Sequence, residues 1–231
     1  MEAIILAGGL GTRLRSVLDD LPKCMAPVAG KPFLHYLLNF LAKQNFNHVI
    51  LSLGYMHEKI ESWVSNSEWP FKISCSIEEE PLGTGGAIQK AFSLSSEKDV
   101  FVFNGDTFFE IDTHAFLTFH KNKDATICIA LKPLKDFDRY GNVEIMENGT
   151  ISAFYEKQPC NEGLINGGVY LINKELVPFP SQVQRFSFES DILQLHVGHP
   201  GLYGYSFQGY FIDIGIPEDY SKANKDFNTF L

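Results

Sequence analysis

The chain has 231 residues, 45% hydrophobic and 20% charged, which suits one soluble globular domain with a substantial core. A formal charge of −9 speaks against a nucleic acid or an anionic membrane as partner, so any anion site must gather its positive charge locally. Cys24, Cys75, Cys128 and Cys160 lie far apart without a C-x-x-C pair, the pattern of reduced thiols and not of a disulfide framework or zinc site. No basic leader precedes the first apolar run, and no apolar stretch nears the roughly 20 residues that span a bilayer, so a cytoplasmic protein is expected.

In chain order, Ile4-Ile5-Leu6 is an apolar run without helical period that breaks into Ala7-Gly8-Gly9-Leu10-Gly11. This predicts a buried strand ending in a tight loop, where the absence of Cβ atoms lets backbone approach a ligand. Thr12 and Arg13 add a hydroxyl and a forked cation, and Lys23 a second positive charge, which together suit a polyphosphate. A Walker A loop is excluded, because Gly30-Lys31 is followed by Pro32. The dinucleotide fingerprint fails as well, since Gly9-Leu10-Gly11 leads into Thr12-Arg13-Leu14.

Pro32 to Ala42 opens with proline at a first helical position and is apolar almost all round, which predicts a deeply packed helix. His48 to Leu53 reads as a second strand, His57 to Val64 as a short amphipathic helix, and Lys72 to Ile77 as a strand with one wetter face. That strand leads into Glu78-Glu79-Glu80-Pro81-Leu82-Gly83-Thr84-Gly85-Gly86. An acidic run is ordinarily solvated surface, but ligands of open α/β sheets collect at the carboxyl ends of strands. A carboxylate there cannot favour phosphate, whereas the N1–H and N2–H₂ edge of guanine offers it two donors. Gly85 and Gly86 would bring the next helix close to base or sugar.

Asp99 to Asn104 is a fourth strand ending in Gly105-Asp106, where the carboxylate is either a ligand group or the cap of a following helix. Asp112 to His120 reads as a helix and Ala125 to Leu131 as a fifth strand, so strands and helices alternate as in a mostly parallel sheet. Tyr140 to Val143 and Ile151 to Lys157 flank Asn148-Gly149, a hairpin signal. Ile165 to Ile172 is a strand opened by Gly167-Gly168, which marks a close backbone approach. Phe188 to His196 is an amphipathic helix, and Asp213 stands four residues before the Pro217 helix, too early to cap it. The seven histidines are scattered and read as core or surface residues.

Leu6-Ala7-Gly8-Gly9-Leu10-Gly11-Thr12-Arg13-Leu14, with Pro22-Lys23-Cys24-Met25-Ala26-Pro27-Val28 and Gly30-Lys31-Pro32, resembles the signature of the sugar-1-phosphate nucleotidylyltransferases. The nearest likeness is to the branch that uses GTP and D-glycero-α-D-manno-heptose 1-phosphate for bacterial surface glycans. Arg15-Ser16 and Cys24 depart from the common pattern, which bears on subgroup and not on chemistry. The resemblance implies an α/β fold of Rossmann-like nucleotidyltransferase type, with a mostly parallel mixed sheet flanked by helices and a small sugar-binding hairpin. It implies one domain over 1–231, with a nucleotide part to about 110 and a sugar-phosphate part over about 111–231. The hexapeptide repeat of a C-terminal β-helix is absent from these residues.

The resemblance further implies a nucleotide site of Leu6, Ala7, Gly8, Gly9, Gly11, Thr12, Arg13, Lys23, Glu80 and Gly85, with Glu80 the first choice to read the guanine edge. A sugar-phosphate site follows from Asn104, Gly141, Glu156, Lys157, Asn166 and Gly167. Asp106 and Asp213 are implied as Mg²⁺ ligands, and Arg13, Lys23 and Asp106 as catalytic groups. A phosphate monoester has a second pKa of about 6, so the sugar phosphate is already a nucleophile and no general base is needed. The remaining alternatives are mannose 1-phosphate as substrate, thymidylyl or uridylyl transfer to glucose 1-phosphate, and an inactive nucleotide-sugar-binding regulator. Small members of the family occur as monomers and as homodimers.

Overall fold

Strand β1 (Glu2–Leu6) is apolar on both faces because it runs through the middle of a sheet that is covered on both sides. Ile4 and Ile5 are fully buried, each contributing about 1.5–3 kcal/mol, more than any strand propensity. The computed structural model describes residues 1–9, 21–182 and 184–228. After β1 come β2 (Pro27–Val28), β3 (Lys31–Pro32), α1 (Phe33–Lys43), β4 (His48–Leu53), α2 (His57–Ser65), β5 (Lys72–Ile77) and α3 (Gly83–Phe92). The chain continues with β6 (Asp99–Asn104), β7 (Thr107–Phe109), α4 (Thr113–Asn122), β8 (Ile127–Phe137), β9 (Gly141–Ile145) and β10 (Ile151–Lys157). It ends with β11 (Cys160–Asn173), β12 (Leu202–Ser206), β13 (Phe211–Asp213) and α5 (Pro217–Asp226).

The main sheet runs β10-β9-β11-β6-β1-β4-β5, with β8 and β12 attached through β11. Strands β6, β1, β4 and β5 are mutually parallel, whereas β11 is antiparallel to β6 and β8. This is the mixed, mostly parallel α/β architecture expected. The alternation along β5 arises because it is an edge strand, paired on one side by β4. Side chains alternate between two cores. Ala3, Ile5, Leu51 and Phe101 pack with α1 on one face, while Ile4, Ile50 and Val102 meet Ile88 and Ala91 of α3 on the other.

Pro32 precedes α1 and does not open it. Its ψ of 142° is extended, and it pairs with Pro27 across a two-residue turn in which Ala29 and Gly30 both have positive φ. The Asn148-Gly149 hairpin forms as expected, with Gly149 at φ +88°. Gly167-Gly168 does not open a strand. The pair lies inside the 14-residue β11, where the register against β8 slips between Asn166 and Tyr170 and Gly168 takes φ +70°. The segment from Phe188 forms a wide π turn at Glu189–Leu193 followed by a 3-10 turn at Gln194–His196. No described helix is long and apolar enough to cross a membrane.

Candidate active site

A cavity of about 860 Å³ opens where β1, β4, β5 and β6 end. Its walls include Leu6, Ala7, Gly8 and Gly9 from the first strand end, Ser52 and Tyr55 at the end of β4, Glu78 and Glu79 after β5, and Asn104 to Asp106 at the end of β6. The strand ends are stitched together by backbone. Ala7 N–H donates to Ser52 C=O at 2.8 Å, and Gly105 N–H to Leu6 C=O at 2.9 Å. A Cβ on Gly105 would stand 2.5 Å from that Leu6 oxygen, so only glycine allows the approach. Gly9 has open space where its Cβ would be, leaving the loop backbone bare toward the cavity.

Lys23, on a 3-10 turn at Lys23–Met25, donates its ammonium to Asp106 and stands 3.9 Å from Asp213. The two acids meet because β13 pairs antiparallel with β7, setting Asp213 against Thr107, and Ile214 N–H bonds the Asp106 carbonyl at 3.0 Å. Asp106 does not cap a helix; Asp112 caps α4, accepting from Ala115 N–H at 2.9 Å. Burial and then the nearby Asp106 charge push the Asp213 carboxyl above its ordinary range, opposed by Lys23 and the Gly215 N–H. Two crowded carboxylates offer oxygen donors to one point, which fits a hard divalent cation with water completing its shell. Among the described residues there is no group of three or more metal-type side chains, so the protein would supply only part of that shell.

Gly11, Thr12 and Arg13 lie outside the described residues. Glu79 and Glu80 are both exposed, but Glu79 lines the cavity together with Glu78 and Glu80 does not. The turn accounts for this: Glu78 accepts the Leu82 N–H at 2.9 Å and the Ser52 hydroxyl at 3.5 Å, so its carboxylate is tied inward at the base of the loop. Glu156 and Lys157 are exposed at the end of β10, with Lys157 opposite Gly141, and none of the three lines the cavity. Asn104 lines it. Asn166 does not; its amide donates to the Tyr170 hydroxyl and its carbonyl accepts the Gly168 N–H, both at 2.9 Å. Gly167 packs against the Phe109 ring and the Ala130 carbonyl, which a Cβ would meet at 2.4 and 2.9 Å.

Gly85 and Gly86 serve the protein's own packing and do not face the cavity. A Cβ on Gly85 would fall 2.1 Å from the Phe186 ring, and one on Gly86 2.3 Å from the Gln184 carbonyl. Backbone bonds from Gly85 N–H to Phe186 C=O and from Phe186 N–H to Leu82 C=O hold the two segments together. Gly85→Ala therefore pits overpacking of about 1–3 kcal/mol against a helix-propensity gain of about 1 kcal/mol. A net fall in the denaturant midpoint is expected. An unchanged midpoint would show that the ring swings away.

Glu189 also lines the cavity, brought there by the π turn. Sequence reasoning passed over it, since a lone acid in an amphipathic stretch carries no signal. Reasoning from order also missed a Cys-His-Asp arrangement: His120 lies 3.3 Å from both Cys128 Sγ and Asp99 Oδ1. It is not a nucleophile site. Cys128 and His120 are buried, and burial followed by the Asp99 charge pushes the thiol far above its ordinary value.

The family model described as nucleotidyl transferase matches residues 2–229, and the chain belongs to that family. It is 49% identical over 231 residues to a D-glycero-alpha-D-manno-heptose 1-phosphate guanylyltransferase of Aneurinibacillus thermoaerophilus, covering 100% of both chains. It is 45% identical over 220 residues to the Campylobacter jejuni protein of the same name, covering 95% of this chain and 97% of that one. Among solved structures, HddC from Yersinia pseudotuberculosis complexed with GMP-PN superposes with a TM-score of 0.85 at 38% identity, covering 98% of this chain and 99% of the other.

Proposed function

We propose that the chain is a guanylyltransferase that joins GTP to D-glycero-α-D-manno-heptose 1-phosphate, releasing pyrophosphate. The observation that carries this is the convergence of Lys23, Asp106 and Asp213 beside the bare Gly8-Gly9 backbone at the carboxyl edge of a parallel sheet. The relatives named above supply the substrates. In the reaction a sugar-phosphate oxygen forms a bond to the α-phosphorus of GTP, and the α–β bridging bond breaks with its electron pair leaving on pyrophosphate. The obstacle is repulsion between polyanions, so the site's work is neutralisation and in-line alignment.

Leu6 to Gly9 with Gly11 and Thr12 present amides and a hydroxyl to the triphosphate, and Arg13 stabilises charge developing on pyrophosphate. Lys23 neutralises the α-phosphate as its bond to Asp106 is exchanged for one to the nucleotide. Mg²⁺ bound between Asp106 and Asp213 would supply Lewis-acid neutralisation of the phosphates. Lys157 holds the sugar phosphate, and Asn104, Gly141, Glu156, Asn166 and Gly167 form the sugar side. The nucleotide part extends to about residue 110 and the sugar part over about 111–231. The reaction belongs in the cytoplasm, where nucleoside triphosphates are made and four unpaired thiols stay reduced.

Base choice falls to the Glu78–Glu80 turn, in which Glu79 lines the cavity and Glu80 does not. The test is pyrophosphate release with GTP, dTTP, UTP, CTP and ATP crossed against heptose, mannose and glucose 1-phosphates. GTP with the heptose phosphate is the expected best pair. Losing a carboxylate that pairs with two base donors costs roughly 10- to 100-fold in kcat/KM for GTP. Glu79→Gln should show that loss and Glu80→Gln should not. The reverse ranking would return the role to Glu80, and a preference for dTTP or UTP would remove the carboxylate argument altogether.

A further inference from the structure

Tyr55 is the only exposed large hydrophobic residue, among those described, that lines the cavity. It is 41% exposed, and its side chain has no ring partner and no hydrogen bond among the described residues. A single exposed aromatic is ordinary by itself. The backbone that holds this one is not. Gly54-Tyr55-Met56-His57 is a tight turn closed by His57 N–H to Gly54 C=O at 3.2 Å. Met56, at its third position, has φ +54° and ψ +36°, where a turn normally carries glycine or asparagine. Such strain persists only where the surroundings over-determine it, and it clusters at functional sites.

The surroundings do fix this turn. Leu53 pairs with Ile77 at the last register position of β4 and β5, and Glu78 N–H donates to Leu53 C=O at 2.7 Å. Tyr55 and Glu79 each stand two residues past that pair, and both line the cavity. On the β1 side, a Cβ on Gly8 would lie 3.1 Å from Gly54 N and 3.2 Å from Glu78 Oε1, so the Gly8 backbone packs against both turns. Because β4 lies between β1 and β5 in the sheet, Tyr55 at its end stands between the Gly8-Gly9 backbone and Glu79.

We infer that the Tyr55 ring is the platform on which the purine of the nucleotide stacks. A nucleotide whose phosphates meet Gly8 and Gly9, and whose base reaches the carboxylates after β5, must lay that base across the end of β4. Recognition then divides between two groups. A carboxylate reads the donor edge in the plane of the base, whereas a ring covers the face, which every base has and which is larger in a purine. Tyr55 therefore sets purine against pyrimidine, and Glu79 sets guanine against adenine. The role belongs to the ring and not to the phenol, whose hydroxyl has no partner. This inference rests on the proposed nucleotide site.

Binding to the full chain is measured by calorimetry with Mg²⁺ for GTP, ATP, UTP and inorganic tripolyphosphate, which carries the phosphates without a base. Replacing a stacking aromatic with alanine costs roughly 5- to 150-fold in affinity. Tyr55→Ala should show that loss for GTP, the same factor for ATP, a smaller one for UTP, and less than about a twofold change for tripolyphosphate. Tyr55→Phe, which keeps the ring, should stay within about twofold of the wild type for every ligand. Glu79→Gln should weaken GTP and leave ATP as it was. Since Tyr55 is exposed, its substitutions should leave the urea midpoint unchanged. Contact itself is read in Tyr55→Trp: GTP should quench the new indole beyond the response of Trp63 and Trp69 in the wild type, and tripolyphosphate should not.

Unchanged GTP affinity in Tyr55→Ala would overturn the inference. Equal losses for GTP and tripolyphosphate would overturn it too, by assigning the residue to the turn's own fold. An indole at position 55 that GTP does not quench would exclude stacking outright. A wild type that turns over no GTP with the heptose phosphate would refute the substrate assignment instead, and the binding comparison, which needs no turnover, would still decide the platform.

Discussion

Asp106→Asn is expected to lower kcat by about 10²–10³, the usual cost of removing one preorganised charge-stabilising group from a transferase site. The substitution keeps the volume of the side chain and an oxygen for the Thr107 hydroxyl, which donates to Asp106 at 3.3 Å. What it removes is charge, and the geometry makes the consequence one-sided. Asp213 is pushed up by burial and by Asp106, with Lys23 between them, so deleting the Asp106 charge relieves crowding and does not create it. Thermal stability should therefore hold or rise slightly while turnover collapses. The concentration of Mg²⁺ giving half-maximal rate should rise in parallel, because one of the two carboxylates proposed to hold it is gone. Full kcat at saturating Mg²⁺ would remove Asp106 from the catalytic set. A loss of activity matched by a loss of folding would mean that the acid holds the sheet end together and does nothing more.

The frame around this site was legible because its signals are local. Ile4-Ile5-Leu6, Val49 to Leu51 and Val100 to Phe103 are apolar runs too short for helices, and they form three adjacent parallel strands. The Gly-Asp end of β6 placed Asp106, and the four-residue gap before Pro217 kept Asp213 off the helix. Side-chain direction in turns was not legible. Three consecutive glutamates look alike in sequence, and only the bond from Leu82 N–H to Glu78 decides which of them turns inward. Glycines misled for a related reason. A missing Cβ announces a close approach without saying to what, and at Gly85 and Gly86 the neighbour is the chain itself. Glu189 was hidden because its partner Thr84 lies on a distant element and the π turn that delivers it has no sequence signature.

At the opposite end of β1 from the cavity, Glu2→Gln is expected to cost about 3 kcal/mol of stability at neutral pH and to leave both KM values unchanged. Burial alone would push the Glu2 carboxyl up. Hydrogen bonds from the Ser95 and Ser96 hydroxyls, the Glu97 amide and His48 outweigh it and bring the pKa from 4.5 down to about 2. The same carboxylate also accepts the Ser96 N–H at 2.9 Å, and His48 passes on to Ser74 at 2.9 Å, so one side chain joins β1, β4, β5 and the loop before β6. A carboxyl whose pKa falls on folding stabilises the native state above its ordinary value, and that contribution fades as the pH drops through the folded value. The window is thus pH 4.5 down to about 2, and a fall of this size corresponds to about 3 kcal/mol. Glutamine cannot ionise, and its amide turns one acceptor into a donor facing donors. Urea unfolding at pH 7 should show the loss, and the variant's stability should depend less steeply on pH between 4.5 and 2 than that of the wild type. Parallel acid limbs in the two proteins would mean that Glu2 is not the group whose protonation loosens the sheet.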